Sequence, residues 1–308
     1  MIIKRVDVDR VGQRIDNALI YWFKQLPRSL IYRWVRKGQL RVNGKRVKVH
    51  YRLELHDEVR VPSFFSNERP KALVLDQQKI NDFCSRVLFA DDDCLVINKP
   101  AGIPVQKGSK DAYGIIDYCK ASGLSEELFL VHRLDKHTTG CLVLAKSRLA
   151  ALDLGRQFKK RQVKKTYQAI VMGEVKWSER IVDAPLLKLQ EIQKACVVVD
   201  DRGKPSKSSF RCLSVGVGAS LVEVDIETGR THQIRVHSKY LGCPVWGDER
   251  YTTKLEYRDM QSNVSRLVMC LHAVSVSFDL ISSGSTVNLK ASMSEEFKKC
   301  LQELKILR

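Results

Sequence analysis

The sequence has no apolar run near the ~18 residues that a membrane-spanning helix needs. Its opening stretch, MIIKRVDVDR, lacks the apolar core of a signal peptide. The 9 cysteines are odd in number and form no CxxC pair, so the sequence predicts neither a disulfide framework nor a zinc site. We therefore expect a cytoplasmic protein with reduced thiols and no membrane partner.

Several enzyme motifs are also missing. No GxGxxG or P-loop is present, which argues against the common nucleotide-binding sites. The absence of GxSxG disfavours a serine hydrolase, and the absence of HExxH disfavours a zinc peptidase. His232 and His237 lack the i, i+4 spacing of a zinc-binding helix.

Negative charge is scarce relative to positive charge. The chain has 53 Lys and Arg against 35 Asp and Glu, a formal net charge of +18. Such an excess indicates a polyanionic partner, because phosphates bound by Lys and Arg release their counterions. A basic protein without such a partner is the alternative reading.

The imbalance is sharpest near the N-terminus, where residues 24–52 contain 10 Lys or Arg and no acidic residue. Apolar spacing predicts a helix over 15–23, then a second helix capped by Ser29 and stopped by Gly38. A hairpin turn is predicted at Asn43–Gly44. The second helix and the hairpin carry the basic residues for which we predict RNA binding, namely Arg33, Arg36, Lys37, Arg41, Lys45 and Arg46.

This arrangement of two helices and a basic hairpin resembles the S4 RNA-binding module over residues 11–60. The alternative is that the charge run is only a solvated face. We expect an S4-like domain at 1–62, a linker at 63–86 and a larger domain at 87–308. Many short strand patterns with few helices between them predict a mixed, largely antiparallel sheet in the larger domain, so that the whole chain is α+β.

Strands of the larger domain are predicted at 87–89, 95–97, 141–145, 166–172, 210–215 and 221–226. Helices are predicted at 149–158, with Ser147 as the cap, and at 233–241, with Gly242 as the stop.

Four polar stretches of this domain carry the candidate site: HRLDKHTTG, KKTY, ETGRTHQIRVH and LHA. Each has an ordinary structural interpretation. Asp135 suits a turn, the lysines of KKTY suit a protected strand edge, and His272 suits a hydrogen-bonded structural position. In this order and at this spacing, however, the stretches resemble the RluA family of pseudouridine synthases, and most closely its RluC-type members acting on 23S ribosomal RNA.

The resemblance implies roles for individual residues. The family's nucleophilic Asp falls on Asp135, its active-site Tyr on Tyr167, the Arg that pairs with the carboxylate on Arg235, and the apolar residue beneath the base on Leu271. Arg133 matches an Arg that positions RNA, and we add Arg230 as an RNA contact. Lys136, His137 and Thr139 depart from the commoner Arg, Asp and Ser, which bears on local phosphate contacts and not on the nucleophile.

The implied reaction, uridine to pseudouridine, breaks the N1–C1′ bond and joins C5 to C1′, and it needs no cofactor. An ionised carboxylate suits it whether Asp135 attacks C1′, adds to C6 or removes the 2′ proton. We expect a monomer acting on ribosomal RNA or its assembly precursor. Two rival functions stay open: a non-catalytic RNA-binding or ribosome-assembly factor, and a small-molecule glycoside hydrolase or nucleosidase, which would leave the charge of +18 unexplained.

Overall fold

The computed structural model describes residues 1–23, 26, 28–63, 77–107, 111, 113–189 and 196–306. The chain divides into two compact units, Met1–Val74 and Leu75–Arg308. Within the described residues, no helix combines the length and the apolar character needed to cross a membrane.

The smaller unit packs two helices on a four-stranded sheet of order β1-β4-β2-β3. Its elements are β1 (Ile2–Arg5), α1 (Ile15–Trp22), α2 (Arg28–Lys37), β2 (Arg41–Val42), β3 (Lys45–Arg46) and β4 (Glu58–Val61). The core is built from one face of each helix and the inward residues of the strands, including Ile15, Leu19, Ile31, Trp34 and Val59.

The predicted hairpin is confirmed, because β2 and β3 pair around Asn43 and Gly44, whose φ angles are +50° and +76°. Two consecutive positive φ angles are typical of the tight turn that matches the twist of two antiparallel strands. The predicted cap at Ser29 is wrong, since α2 already begins at Arg28. Arg28 donates a hydrogen bond of 2.9 Å to Asn17 and contacts Asp16 at 3.4 Å, tertiary contacts that the local pattern does not contain.

The larger unit contains six helices and twelve strands among its described residues. The helices are α3 (Gln77–Cys84), α4 (Ile115–Ala121), α5 (Arg148–Lys159), α6 (Gln233–Tyr240), α7 (Lys254–Ser262) and α8 (Glu295–Glu303). The strands are β5 (Val87–Ala90), β6 (Cys94–Lys99), β7 (Phe129–Leu130), β8 (Thr139–Ala145), β9 (Lys164–Met172), β10 (Glu179–Asp183), β11 (Leu186–Leu189), β12 (Cys196–Val199), β13 (Lys207–Val215), β14 (Ala219–Ile226), β15 (Leu271–Asp279) and β16 (Thr286–Lys290).

A ten-stranded sheet dominates this unit, with strand order β10-β13-β14-β9-β15-β8-β6-β5, β16 beside β15, and β7 beside β8. Among its described pairs only β8 and β15 run parallel, which confirms the mixed, largely antiparallel α+β fold. Alternate residues of the central strands face opposite layers. Leu142 and Leu144 of β8 pack in the cluster that contains α4, whereas Cys141 and Val143 pack in the cluster that contains α5.

The six predicted strands of the larger unit and its two predicted helices are present, with shifted ends. Ser147 caps α5 by accepting a hydrogen bond of 3.0 Å from the Ala150 amide, and Gly242 follows α6 with a φ of +76°. The predicted linker, 63–86, is only partly described, since 64–76 lie outside the described residues. Its last part forms α3, whose Phe83 is buried in the core of the larger unit because it packs near Tyr118.

Candidate active site

Asp135 lies in the loop between β7 and β8. Its backbone carbonyl accepts a hydrogen bond of 3.2 Å from the Thr138 amide, so the residue does belong to a turn. Its carboxylate is nevertheless drawn inward: the side chain is 17% exposed, and Oδ2 lies 3.0 Å from Nη1 of Arg235. The turn therefore presents a half-buried carboxylate to a fixed cation.

Arg235 is buried on α6 and bridges two carboxylates. Besides Asp135 it holds Asp248 through both sides of its guanidinium, with Nε 2.6 Å from Oδ2 and Nη2 2.8 Å from Oδ1. Burial by itself lowers the pKa of Arg235, but the hydrogen bond and charge of Asp248, together with the charge of Asp135, raise it above its usual value. A bidentate pair fixes the plane of a guanidinium, so Asp248 sets the direction in which Arg235 meets Asp135.

Tyr167 and Leu271 lie on one face of the sheet. Tyr167 of β9 pairs with Ala273 of β15, and Leu271 pairs with Ala169, so the two side chains are diagonal neighbours. Both are buried, at 6% and 4% exposure. Among the described residues, no group makes a hydrogen bond to the Tyr167 hydroxyl. Burial, and next the charge of Asp135, raise the pKa of this phenol.

These residues share one cavity of about 340 Å³. Its walls include all six residues that the sequence singled out in this domain: Arg133, Asp135, Tyr167, Arg230, Arg235 and Leu271. Arg133 and Arg230 are exposed, whereas the other four are half-buried or buried. The fold therefore brings together four motifs that are far apart in the chain, while the role of each residue stays a prediction.

Lys99 was not singled out from the sequence, although it ends β6 in the stretch INKPAG. Its side chain is fully buried, and its ammonium group donates to the carbonyl oxygens of Pro100, Ile103 and Lys136 at 2.8, 2.8 and 2.9 Å. Lys136 directly follows Asp135, so this ammonium group ties the Asp135 loop to the end of β6. Burial lowers the pKa of Lys99 to about 7, against the opposing effect of Asp135.

The histidines of the GRTHQIRVH stretch have protein partners. His232, at the start of α6, lies 2.6 Å from the Tyr251 hydroxyl through Nδ1, and its Nε2 lies 3.7 Å from Asp135 Oδ2. Burial lowers the pKa of His232 to about 4, so the ring is neutral near pH 7. His237 is buried against Ser208 and the Ala184 carbonyl. The described part of the chain gathers no group of three or more His, Cys, Asp or Glu suited to a metal ion.

Five of the six basic residues predicted in the smaller unit are exposed, namely Arg33, Arg36, Lys37, Lys45 and Arg46. Arg41 differs, because its guanidinium donates to the Gly38 and Gly44 carbonyls at 3.3 and 3.0 Å and is half-buried. Arg41 therefore joins the end of α2 to the hairpin turn.

Comparison with known proteins gives two domain matches. The family model described as "RNA pseudouridylate synthase" matches residues 93–240, and the model described as "S4 domain" matches residues 13–59. "Ribosomal large subunit pseudouridine synthase C" of Escherichia coli (strain K12) is 39% identical over 312 residues, covering 99% of this chain and 97% of the relative. The protein of the same name from Vibrio vulnificus (strain CMCP6) is 39% identical over 307 residues, covering 98% and 96%.

A solved structure agrees with the sequence relatives. "Human RNA Pseudouridylate Synthase Domain Containing 4" superposes with a TM-score of 0.61 at 26% identity, covering 75% of this chain and 97% of that one. The resemblances to pseudouridine synthases and to the S4 module are thus confirmed. This chain belongs to the RNA pseudouridylate synthase family.

Proposed function

We propose that this protein converts specific uridines of 23S ribosomal RNA, or of its assembly precursor, to pseudouridine, and that it does so in the cytoplasm as a monomer. One observation carries the proposal: the Asp135 carboxylate, fixed by Arg235, shares a cavity with Tyr167 and Leu271. The choice of substrate is supported by relatives named as large-subunit ribosomal enzymes and by the S4 domain.

Asp135 supplies the carboxylate on which the reaction depends. The N1–C1′ bond breaks, the uracil turns, and C5 joins C1′; the proton lost from C5 is balanced by the proton gained at N1. Positive charge that develops at C1′ is trapped or stabilised by a carboxylate, as in retaining glycosidases. Attack at C1′, addition at C6 and removal of the 2′ proton all begin from ionised Asp135, and the guanidinium of Arg235 at 3.0 Å holds this carboxylate in place.

Arg235 orients this carboxylate and does not act as an acid, since its pKa is raised above a value that is already very high. Because Asp248 holds the opposite side of the guanidinium, Arg235 stays in place while Asp135 changes charge during the reaction. Asp248 is 1% exposed, and so this support is shielded from solvent.

Tyr167 and Leu271 form the surfaces between which a uracil taken out of its stack would lie. The phenol is neutral at rest, because burial and the charge of Asp135 both disfavour the phenolate. Loss of the Asp135 charge, by bond formation or protonation, removes one of these two effects. Tyr167 then passes its own proton to N1 of the uracil more readily, and the resulting phenolate accepts the proton that leaves C5, so that the two transfers balance.

One assay with three substrates distinguishes the proposed function from the two rival functions. The wild-type protein is incubated with a 23S fragment, with an unrelated structured RNA and with free uridine, each carrying tritium at C5 of the pyrimidine. We expect tritium release and mapped pseudouridine only with the 23S fragment. Binding without release would support a non-catalytic assembly factor, and cleavage of free uridine would support a nucleosidase.

A further inference from the structure

A second cavity of about 630 Å³ adjoins the Asp135 cavity. It lies where the end of α5 and the start of β9 face the end of β14 and the loop that follows it. The two cavities share six lining residues: Phe158, Lys159, Lys165, Ile226, Gly229 and Arg230. The second cavity is therefore a continuation of the site and not a separate pocket.

Positive charge dominates its lining. Lys159, Arg161, Lys164, Lys165 and Arg230 face two carboxylates, Asp225 and Glu227. Glu227 is neutralised by Lys207 at 2.7 Å and Arg161 at 3.4 Å, and Asp225 accepts a hydrogen bond of 2.9 Å from Thr166.

The ammonium groups of Lys159 and Lys164 are not neutralised by these two carboxylates. Both are exposed, and within the described ranges neither ammonium group is paired with a carboxylate. Lys165 is more buried, with its ammonium group 5.3 Å from the centre of the Phe158 ring. The lining thus has more cations than carboxylates, and this excess positive charge can bind an anion.

Arg161 stands in a backbone position that favours glycine. Its φ is +61°, and it follows the end of α5 in the hydrogen-bond pattern of a Schellman motif: the Gln162 amide donates to Gln157 at 3.0 Å and the Arg161 amide to Phe158 at 3.3 Å. A non-glycine residue in this conformation costs roughly 1–2 kcal/mol. The chain bears this cost at the residue whose guanidinium lines the second cavity.

We propose that the second cavity binds the backbone phosphate next to the target uridine, with Lys159, Arg161 and Lys164 as its cationic ligands. The proposal rests on the proposed function and adds a subsite to it. The two cavities are continuous along their shared wall, so a base in the Asp135 cavity places its neighbouring phosphate within reach of the second cavity, whose cations match a phosphodiester in charge. Arg and Lys are the side chains that most often contact phosphate oxygens.

The variant Arg161→Gly tests the contribution of the guanidinium to RNA binding without destabilising the fold. Glycine suits a φ of +61°, so the variant keeps or raises the melting temperature while it removes the guanidinium. Lys159→Ala and Lys164→Ala remove the other two charges at exposed positions. The matched control is Lys254→Ala, because Lys254 is exposed on α7 and lines neither cavity.

The experiment measures RNA affinity and single-turnover rate for the full chain, using a substrate in which wild-type activity has mapped the modified uridine. A second substrate carries uncharged methylphosphonates on both sides of that uridine. We expect Arg161→Gly with Lys164→Ala to weaken binding of normal RNA roughly tenfold, the size of one charge-assisted hydrogen bond. The Lys254→Ala control should keep both the RNA affinity and the single-turnover rate of the wild type.

The methylphosphonate substrate should weaken wild-type binding by a similar factor and should weaken binding by the double variant less, because only Lys159 of the three proposed ligands is left there. Equal affinity of the double variant and the wild type for normal RNA would overturn the subsite. Additive losses from the variant and the methylphosphonates would overturn it too, because independent effects mean that those cations contact other phosphates. Wild-type conversion of normal RNA reports on the proposed function separately from either result.

Discussion

Asp135, Arg235 and Asp248 form a chain of alternating charges, of which Asp135 and Arg235 line the cavity and Asp248 does not. The guanidinium donates two hydrogen bonds to the buried Asp248 and one to Asp135, so its bidentate pair is the one that is shielded from solvent. The Asp135 carboxylate is left with a single strong partner at 3.0 Å, so that most of its lone pairs stay available to a substrate.

The Tyr167 hydroxyl tests whether this residue does more than stack on the base. Tyr167→Phe keeps the ring and removes a hydroxyl that has no hydrogen-bond partner within the described structure, so folding should be preserved. We expect RNA affinity within about twofold of wild type and a turnover at least tenfold lower, the lower range of acid–base catalysis being roughly a hundredfold. Single-turnover kinetics and a binding titration measure the two effects. An unchanged turnover would leave Tyr167 with a stacking role only.

The buried amine of Lys99 makes stability depend on pH in a predictable direction. The pKa of Lys99 is about 7 in the folded protein and near 10.5 when unfolded, so between these values the unfolded state binds more protons. The free energy of unfolding of wild type, relative to Lys99→Met, should therefore rise with pH across this window, by up to about 1.4 kcal/mol per pH unit.

Urea unfolding of both proteins at pH 6, 7, 8 and 9 measures this difference, and below pH 7 the curves should run parallel. A difference that is constant from pH 7 to 9 would mean that Lys99 keeps its proton in the folded state. The three carbonyl acceptors, one for each N–H of an ammonium group, would then outweigh burial.

At the scale of elements, the site depends on the single parallel pairing of the described sheet. Strands β8 and β15 pair at Thr139–His272 and Gly140–Ala273, which brings the loop carrying Asp135 beside the strand that starts at Leu271. Thr139 Oγ1 lies 2.7 Å from His272 Nδ1, and His272 Nε2 lies 3.0 Å from the Ala291 carbonyl. His272 thus takes the hydrogen-bonded structural place considered for it in the sequence.

Gly140 permits this pairing. Its φ is +104°, and a Cβ atom there would overlap the backbone of Ala273. Gly140→Ala should destabilise the protein by several kcal/mol, as strained or overpacked buried positions do, and should lower activity by displacing β15. Gly242→Ala is the control, since its φ is also positive, at +76°, but its Cβ would meet nothing within 4 Å. Thermal unfolding compares the two, and equal losses would show that the close approach of the strands is unimportant.

The sequence allowed a good prediction of elements whose signals are local. Ser147 before α5 and Gly242 after α6 are end signals within a few residues of the helix they bound, and both are used. The helix α3 was missed because 77–84 directly follows a stretch without apolar periodicity. Its apolar side chain Phe83 packs only against residues of the folded larger unit, and no local pattern indicates that contact.

The sequence named those residues of the candidate site that belong to motifs. It did not name residues that reach the site only through the folding of distant segments. Asp135, Tyr167, Arg235 and Leu271 were named from motif resemblance and line one cavity. Asp248 was not named, because a lone Asp after a Gly suits an ordinary turn and nothing local indicates that it faces Arg235. The carbonyl acceptor of Lys99 on Lys136 is likewise distant in sequence.

At the scale of the whole molecule, the charge of +18 is divided between two units. We predict that the smaller unit supplies affinity and the larger one chemistry. In the full chain, Arg33→Glu with Arg36→Glu should weaken RNA binding and make its salt dependence shallower, by roughly 0.7–0.9 in log–log slope for each phosphate that the variant no longer neutralises. The rate at saturating enzyme should be retained.

Lys254→Glu with Arg258→Glu is the matched control, because it makes the same charge change on the exposed face of another helix. Affinity at several salt concentrations and single-turnover rate are the two measurements. Unchanged affinity with a collapsed saturated rate would show that the smaller unit builds or positions the active site, contrary to this division.

The most direct test of the central claim is the Asp135→Asn variant. Asparagine keeps the size of the side chain and removes its charge, and Asp135 is not part of the hydrophobic core, so the melting temperature should stay within a few degrees of wild type. We predict normal RNA binding and pseudouridine formation on a 23S fragment below a few per cent of wild type, because neither nucleophilic nor general-base chemistry is open to a neutral amide. A folded Asp135→Asn protein that forms pseudouridine at a rate comparable with wild type would contradict the account, since the carboxylate around which the cavity is built would then be dispensable.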